Sequence, residues 1–275
     1  MVFRSGPLTP GVAFVTGGAR GLGNAIAVSF AKDGARGVVI VDILSDDLLE
    51  AGRKNVETYG ARCIAIKADV TKEDDVARAI EETITTFGRI DYAANFAGIV
   101  GPINLRIWTT SIETVRKVLE VNTIGVWICT SQLIKAMMKQ EAVEFEPGRA
   151  PCRGSIVNCA SVNSIMSAEG SGPYTASKHA VAGITKAAAL EARRHGIRVN
   201  SLSPGFIATQ LVQGLDLGMS PEEAEANWKA IEARQGRTAV PEDIGDAVVM
   251  LSSTRGSLVI GQNLVVDGGF TICEN

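Results

Sequence analysis

The feature that most constrains this chain is its alternation of short, uninterrupted apolar runs with longer segments of helical period. Val38, Val39, Ile40 and Val41 leave no polar face for water, as a strand buried on both sides requires. Gly11 to Val15, Ala61 to Lys67, Ile90 to Ala94, Gly154 to Cys159, Ile197 to Leu202 and Leu264 to Val266 read as further strands. Between them, Leu22 to Asp33 is helical and stopped by Gly34, and Asp46 to Tyr59 is helical. Thr71 with Asp74 predicts an N-cap for a helix that Gly88 ends. Ser111 to Gln140 predicts one long helix with Asn122 and Gly125 inside it. Pro173 to His195 is a helix stopped by Gly196, and Pro241 opens another. Strand and helix in alternation with short connections predict an α/β fold: a doubly wound, mostly parallel sheet with helices on both faces. Two segments break the rhythm, the polar loop Ala142 to Arg153 and an irregular helical insertion from Phe206 to Val240. With no repeat or linker, residues 1–275 are expected to form a single domain, with the insertion at about 206–240 as a lid on it.

Composition excludes several classes. Lys and Arg number 27 against 30 Asp and Glu, a net charge of −3, so no basic surplus points to nucleic acid. The apolar runs are too short to span a bilayer, so no membrane partner is expected. Met1 to Gly11 lacks the apolar core of a secretion signal. Five scattered cysteines fit free thiols in a reducing, cytoplasmic compartment. With His179 and His195 as the two histidines, no metal-ligand spacing arises and none is expected. Ser161 lacks a Gly-x-Ser-x-Gly elbow, and Cys129 and Cys159 read as buried filler.

Chemistry concentrates in two places. The turn from Thr16 to Gly23 joins the first strand to the first helix with glycines at 17, 21 and 23, a spacing other than GxGxxG. Glycine lets the backbone approach a pyrophosphate, and a helix N-terminus offers free N–H groups; a plain tight turn is the competing reading. Asp42, nineteen residues after Gly23, can accept hydrogen bonds from an adenosine ribose diol; an ordinary strand-end aspartate capping the next turn is the competing reading. It also repels a 2′-phosphate, by about 4 kcal/mol for unit charges in contact at intermediate dielectric. Arg20 could hold that phosphate instead, so NAD is favoured and NADP is the second reading. Asp69 and Val70 follow the third strand, where an adenine edge would lie, although Asp69 also suits a helix flank. Further on, Tyr174 and Lys178 are four residues apart and so share one helix face. A phenol with a pKa near ~10 is a poor proton donor at neutral pH until an adjacent ammonium favours its anion. Ser161 lies thirteen residues before Tyr174, at the end of the preceding strand.

With the glycine turn, Asn95, Phe96, Ala97, Gly98, Asn122, Ser161, Tyr174, Lys178, Pro204 and Gly205 in order, the chain resembles the short-chain dehydrogenase/reductase superfamily from about Gly11 to Gly269. The resemblance implies a seven-stranded Rossmann domain that binds a nicotinamide dinucleotide. It makes Tyr174 the general acid/base, with Ser161 orienting the substrate oxygen. Lys178 would hold the nicotinamide ribose and lower the tyrosine pKa, and Asn122 would hold a water that relays protons to solvent. On the cofactor side it implies Gly17, Arg20, Gly21, Leu22 and Gly23 around the pyrophosphate, Asp42 and Ile43 at the adenosine ribose, and Asp69 and Val70 at the adenine. Asn95, Ala97 and Gly98 would line the path, and Pro204, Gly205, Ile207 and Thr209 the nicotinamide. Asp267, Gly268 and Gly269 match a structural signature. The superfamily usually has a second asparagine where this chain has Phe96, which implies altered packing with cofactor binding retained.

The expected function is therefore an NAD(H)-dependent oxidoreductase interconverting a secondary alcohol and a ketone. Ile99, Val100, Val162, Met166, Phe206, Leu211, Val212 and Trp228 are candidate pocket walls, with core packing the competing reading for several; as walls they suit a bulky, mainly apolar substrate such as a polycyclic secondary metabolite. The alternatives are redox-neutral or auxiliary chemistry (dehydration, isomerisation, double-bond reduction) and non-catalytic nucleotide binding. By resemblance, a homodimer or homotetramer would form on the helices near Ser111–Gln140 and Pro173–His195.

Overall fold

The uninterrupted apolar runs become the strands of one sheet. In the computed structural model, which describes residues 6–207 and 220–272, they are β1 (Val12–Thr16), β2 (Gly37–Asp42), β3 (Arg62–Lys67), β4 (Tyr92–Asn95), β5 (Gly154–Cys159), β6 (Ile197–Pro204) and β7 (Asn263–Val266). Their order is 3-2-1-4-5-6-7 and every neighbouring pair is parallel. The helices among the described residues are α1 (Gly21–Lys32), α2 (Asp46–Glu57), α3 (Glu73–Phe87), α4 (Ile112–Leu119), α5 (Val126–Met138), α6 (Gly172–Ala192), α7 (Pro221–Gln235) and α8 (Pro241–Ser252).

Period-two alternation divides each strand between two cores. Ala13, Val15, Val38 and Ile40 face one way, against Ile26 and Phe30 of α1, Leu49 of α2, and Ile244 and Val248 of α8. Val12, Phe14, Val39 and Val41 face the other, against Val76 and Ile80 of α3, Leu133 and Met137 of α5, and Ala189 of α6. This is the doubly wound Rossmann arrangement that the alternation predicts. Strand order reverses between β1 and β4, so the connections leaving these two strands diverge and open a crevice at their carboxyl ends.

Two local expectations need correction. Thr71 does not cap α3. Its N–H and hydroxyl both donate to Asp69 Oδ1, at 2.9 and 2.8 Å, and the helix starts two residues later behind Lys72, which makes no side-chain cap. The single long helix expected over Ser111–Gln140 is interrupted by a π turn, Glu120–Gly125, between α4 and α5. Ser111 does cap its start, accepting from the Thr114 N–H at 3.1 Å. The π turn holds both residues that break helical rules, Asn122 and Gly125. A Cβ on Gly125 would stand 3.0 Å from the Val70 side chain, so glycine lets this turn lie close against the end of the β3 connection without displacing Val70. Within the loop Ala142–Arg153, Val143 and Cys152 form an antiparallel bridge.

α8 ends on a cation from the sheet. Arg198 of β6 is buried, and its guanidinium donates to the carbonyls of Leu251, Ser252, Ser253 and Gly256 at 2.6–3.0 Å. Leu251 and Ser252 close α8, where a helix leaves its last carbonyls without intrahelical partners, and Ser253 and Gly256 belong to the turn that follows. Replacing Arg198 with Met keeps the apolar stem and takes a donor from four carbonyls, of which Ser253 and Gly256 keep their turn bonds from the Gly256 and Val259 N–H groups. The expected loss is about 2–4 kcal/mol of stability, a fall of roughly 5–15 °C in the calorimetric Tm, with the far-ultraviolet circular dichroism unchanged at 20 °C.

Candidate active site

The crevice at the reversal point is a cleft of about 500 Å³. Its walls come from the residues at and just past the carboxyl ends of β1 to β6, joined by α4, the π turn and α6.

At one end stands the glycine turn. Gly17 has φ +70°, and a Cβ there would press to 2.9 Å on the Ala97 backbone. Gly21 has φ +58°, and the space beside its Cα is open, the form of a cradle for a bulky anionic group. Arg20, exposed at the N-cap of α1, makes no capping bond, and the first turn carries no acid, so its N–H groups stay available. Neighbours missed in the sequence reading hold the turn in place. Thr16 Oγ1 accepts from the N–H groups of Phe96 and Ala97 at 3.1 and 3.2 Å, tying β1 to β4. Asn24 donates to the carbonyls of Gly18 and Gly52, at 2.9 and 3.1 Å. Asp42 ends β2, and each of its oxygens accepts a backbone N–H, from Ala19 at 3.1 Å and Leu44 at 3.3 Å. Each carboxylate oxygen keeps a second lone pair for a diol. Leu22, Gly23, Ile43, Asp69, Val70, Ala97 and Gly98 line the same cleft, with Ile43 60% exposed over it. The set fits a dinucleotide.

Asn95 is the exception among the expected cofactor residues. It is buried and does not line the cleft. Its amide donates to Asn158 Oδ1 at 2.9 Å and Thr130 Oγ1 at 3.3 Å, joining β4 to β5 and α5. Phe96 also packs inward, into the core on the α1 side, although it borders the cleft as well.

At the other end Ser161, Tyr174 and Lys178 share the cleft. Ser161 caps a short 3-10 turn, Val162–Ser164, and its Oγ accepts from the Asn163 N–H at 3.2 Å. With that lone pair engaged, the hydroxyl proton is left for another acceptor. Lys178 is 3% exposed, its Nζ donating to the Cys159 carbonyl at 2.8 Å and lying 5.5 Å from the centre of the Tyr174 ring. Burial works against its charge, but neighbouring Cys159 and Tyr174 outweigh burial and hold its pKa above the ordinary lysine value. The ammonium therefore stays charged at neutral pH beside a half-buried phenol.

Asn122 is fully buried, and its side chain binds protein at both ends. Oδ1 accepts from the Ile99 N–H at 2.9 Å, while Nδ2 donates to the Ile99 carbonyl at 2.8 Å and Ser177 Oγ at 3.1 Å. Both amide hydrogens are thus engaged. A Cβ on Gly98 would stand 3.1 Å from Asn122 Oδ1 and 3.9 Å from Lys178 Nζ, so glycine keeps the gap between them open.

Of the expected apolar walls, Ile99 and Val100 line the cleft, whereas Val162, Met166, Phe206 and Trp228 do not. Val162 is buried, Phe206 packs on Phe270 with ring centres 4.9 Å apart, and Trp228 donates to Glu232 at 3.0 Å. Pro204, Gly205 and Ile207 line the cleft; Thr209, Leu211 and Val212 lie outside the described residues. Lys117, Val121 and Cys159 line it too, although no sequence signal marked the first two and Cys159 had read as buried filler. Among the described residues no helix is long and apolar enough to cross a membrane, and no group of three His, Cys, Asp or Glu could hold a metal.

Cysteine reactivity reports this geometry. Burial pushes the thiols of Cys63 and Cys129 up to about 12, whereas Cys159 opens on the cleft. Brief treatment with iodoacetamide at about pH 8 should alkylate Cys159 well before Cys63 and Cys129, as read by peptide mass mapping.

The chain has clear relatives. A family model described as enoyl-(acyl carrier protein) reductase matches residues 17–271. Short-chain dehydrogenase fogB of Aspergillus ruber is 41% identical over 268 residues, covering 95% of this chain and 97% of that protein. Momilactone A synthase of Oryza sativa subsp. japonica is 39% identical over 266 residues, covering 96% and 91%. The crystal structure of levodione reductase superposes with a TM-score of 0.85 at 32% identity, over 97% of this chain and 100% of that one.

Proposed function

Because the chain belongs to the short-chain dehydrogenase/reductase family of oxidoreductases, we propose that it is an NAD(H)-dependent enzyme interconverting a secondary alcohol and a ketone. The observation that carries this reading is the buried, charged Lys178 beside Tyr174, in the same cleft as the glycine turn and Asp42. A nicotinamide dinucleotide, when bound, supplies or accepts the hydride.

In this proposal the chain supplies orientation and proton handling. Tyr174 gives a proton to the substrate oxygen, or takes one from it, as general acid/base. Lys178 favours the phenolate electrostatically and holds the nicotinamide ribose hydroxyls. Ser161, with the Asn163 N–H on its oxygen, donates its own proton to the substrate oxygen and stabilises charge there. The gap kept by Gly98 suits a water between Lys178 and Asn122. With both amide hydrogens of Asn122 engaged, such a relay uses an oxygen of this residue as acceptor. The cradle at Gly17, Gly21 and Gly23 takes the pyrophosphate, with Arg20 and Leu22 beside it, and Asp42 and Ile43 the adenosine ribose. Asp69 and Val70 flank the adenine, and Ala97, Gly98, Pro204, Gly205 and Ile207 the remainder.

The substrate reading is a bulky, mainly apolar molecule of secondary metabolism. It is supported by Ile99 and Val100 in the cleft and by relatives named momilactone A synthase and (+)-borneol dehydrogenase 2. The description enoyl-(acyl carrier protein) reductase keeps double-bond reduction as the second reading. We further propose one cytoplasmic dinucleotide-binding domain, with a lid at about 206–240, assembled as a homodimer or homotetramer. Exposed Ile124 and Trp127, where the π turn meets α5, and exposed Leu190 on α6 support the assembly.

Two measurements test this function. Tyr174→Phe should lower turnover by ~10²–10⁴-fold while NADH affinity changes little; a variant that retains most of its turnover removes the acid/base assignment. Fluorescence titration should give tighter binding of NADH than of NADPH, and Asp42→Ala should narrow that difference. The reverse preference would place Arg20 above Asp42.

A further inference from the structure

Gln235, the last residue of α7, is 3% exposed, yet no motif marks it. Its amide is matched to the backbone of one residue, Phe206. Oε1 accepts the Phe206 N–H at 2.9 Å, and Nε2 donates to the Phe206 carbonyl at 2.9 Å. That exchange is what a paired antiparallel strand residue would provide. The other amide hydrogen goes to the Arg237 carbonyl at 3.1 Å.

The surroundings are shaped around this amide. A Cβ on Gly205 would stand 2.6 Å from Gln235 Oε1, and one on Gly268 would overlap the Gln235 carbonyl. The Phe206 ring is held separately, against Phe270, whose carbonyl accepts from Arg234 Nε at 2.9 Å and whose ring lies 4.4 Å beneath the Arg234 guanidinium. The Phe206 backbone is thus held by Gln235 directly, and its ring by Phe270, which the preceding residue of α7, Arg234, holds in turn. Its chain neighbours Gly205 and Ile207 line the cleft.

We propose that Gln235 is a positioning residue. By satisfying both backbone groups of Phe206 it fixes the orientation of the Gly205–Ile207 wall, and so the grip of the cleft on the nicotinamide end of the cofactor. The inference rests on the cofactor reading above. Leucine would fill the same volume and leave the Phe206 N–H and carbonyl without partners away from water, so the segment would turn to find others. A carboxylate would keep the acceptor and lose the donor; a protonated carboxyl would restore one of each.

The test compares the full-length protein with Gln235→Leu and Gln235→Glu, by calorimetric titration with NADH and with ADP-ribose, which lacks the nicotinamide. Gln235→Leu should weaken NADH by about tenfold or more and leave ADP-ribose within about twofold. Gln235→Glu should resemble it at about pH 8 and recover towards the unsubstituted protein at about pH 6, because burial raises the carboxyl pKa. Equal losses for both ligands would mean general loosening and overturn the proposal. So would unchanged NADH affinity, or no recovery of Gln235→Glu at low pH. An unsubstituted protein that binds neither dinucleotide would instead remove the cofactor reading itself.

Discussion

A parallel sheet covered on both faces leaves its backbone uncovered only at the strand ends, and this constraint organises the molecule. β1 to β6 end in Thr16, Asp42, Lys67, Asn95, Cys159 and Pro204, and the cleft walls lie on or just beyond those six ends, joined by α4, the π turn and α6. The reversal between β1 and β4 sends successive connections to opposite faces, so no crossover helix closes the crevice between them. Thr16 bridges this gap from below, its hydroxyl binding the first two N–H groups beyond β4. The glycine turn and the Phe96–Gly98 segment are thereby held at one spacing.

Around the cleft, local rules give way where polar groups must be aimed. Asn122 sits in a π turn because its amide has to reach both the backbone of Ile99 and Ser177 of α6. Lys178 is buried, contrary to the usual place of lysine, and is held charged by the groups packed against it. Ser161 combines two tasks, capping a 3-10 turn through its oxygen while keeping its proton free. Each departure has a partner that offsets its cost, local for Ser161 and from distant segments for Asn122.

Much of this was legible in the sequence. The doubly wound fold could be read because strands buried on both faces must be apolar without interruption, and that pattern is local. Tyr174 and Lys178 could be paired because helical periodicity places residues four apart on one face. Asp42 could be placed because it ends the strand after the glycine turn. For the apolar candidates, pocket wall and core filler stayed open together in the sequence. Val162 and Phe206 are apolar for the sake of packing, and composition alone does not separate a wall from a core. Asn95 was placed on the cofactor because it begins a recognisable motif. One residue's difference along a strand sends its side chain to the other side of the sheet, into the network with Thr130 and Asn158.

The sequence by itself thus determined the layers, the order of strand and helix, the glycine turn and the tyrosine–lysine face. These depend on periodicity, chain direction and neighbours within a few residues. Only the tertiary structure decided that Lys117, Val121 and Cys159 join the cleft, that the Asn122 amide is taken by Ile99 and Ser177, and that Gln235 holds Phe206 across 29 residues. Such contacts follow from how helices pack on the sheet. A hydrogen bond between residues far apart in the chain leaves no periodic trace in either segment.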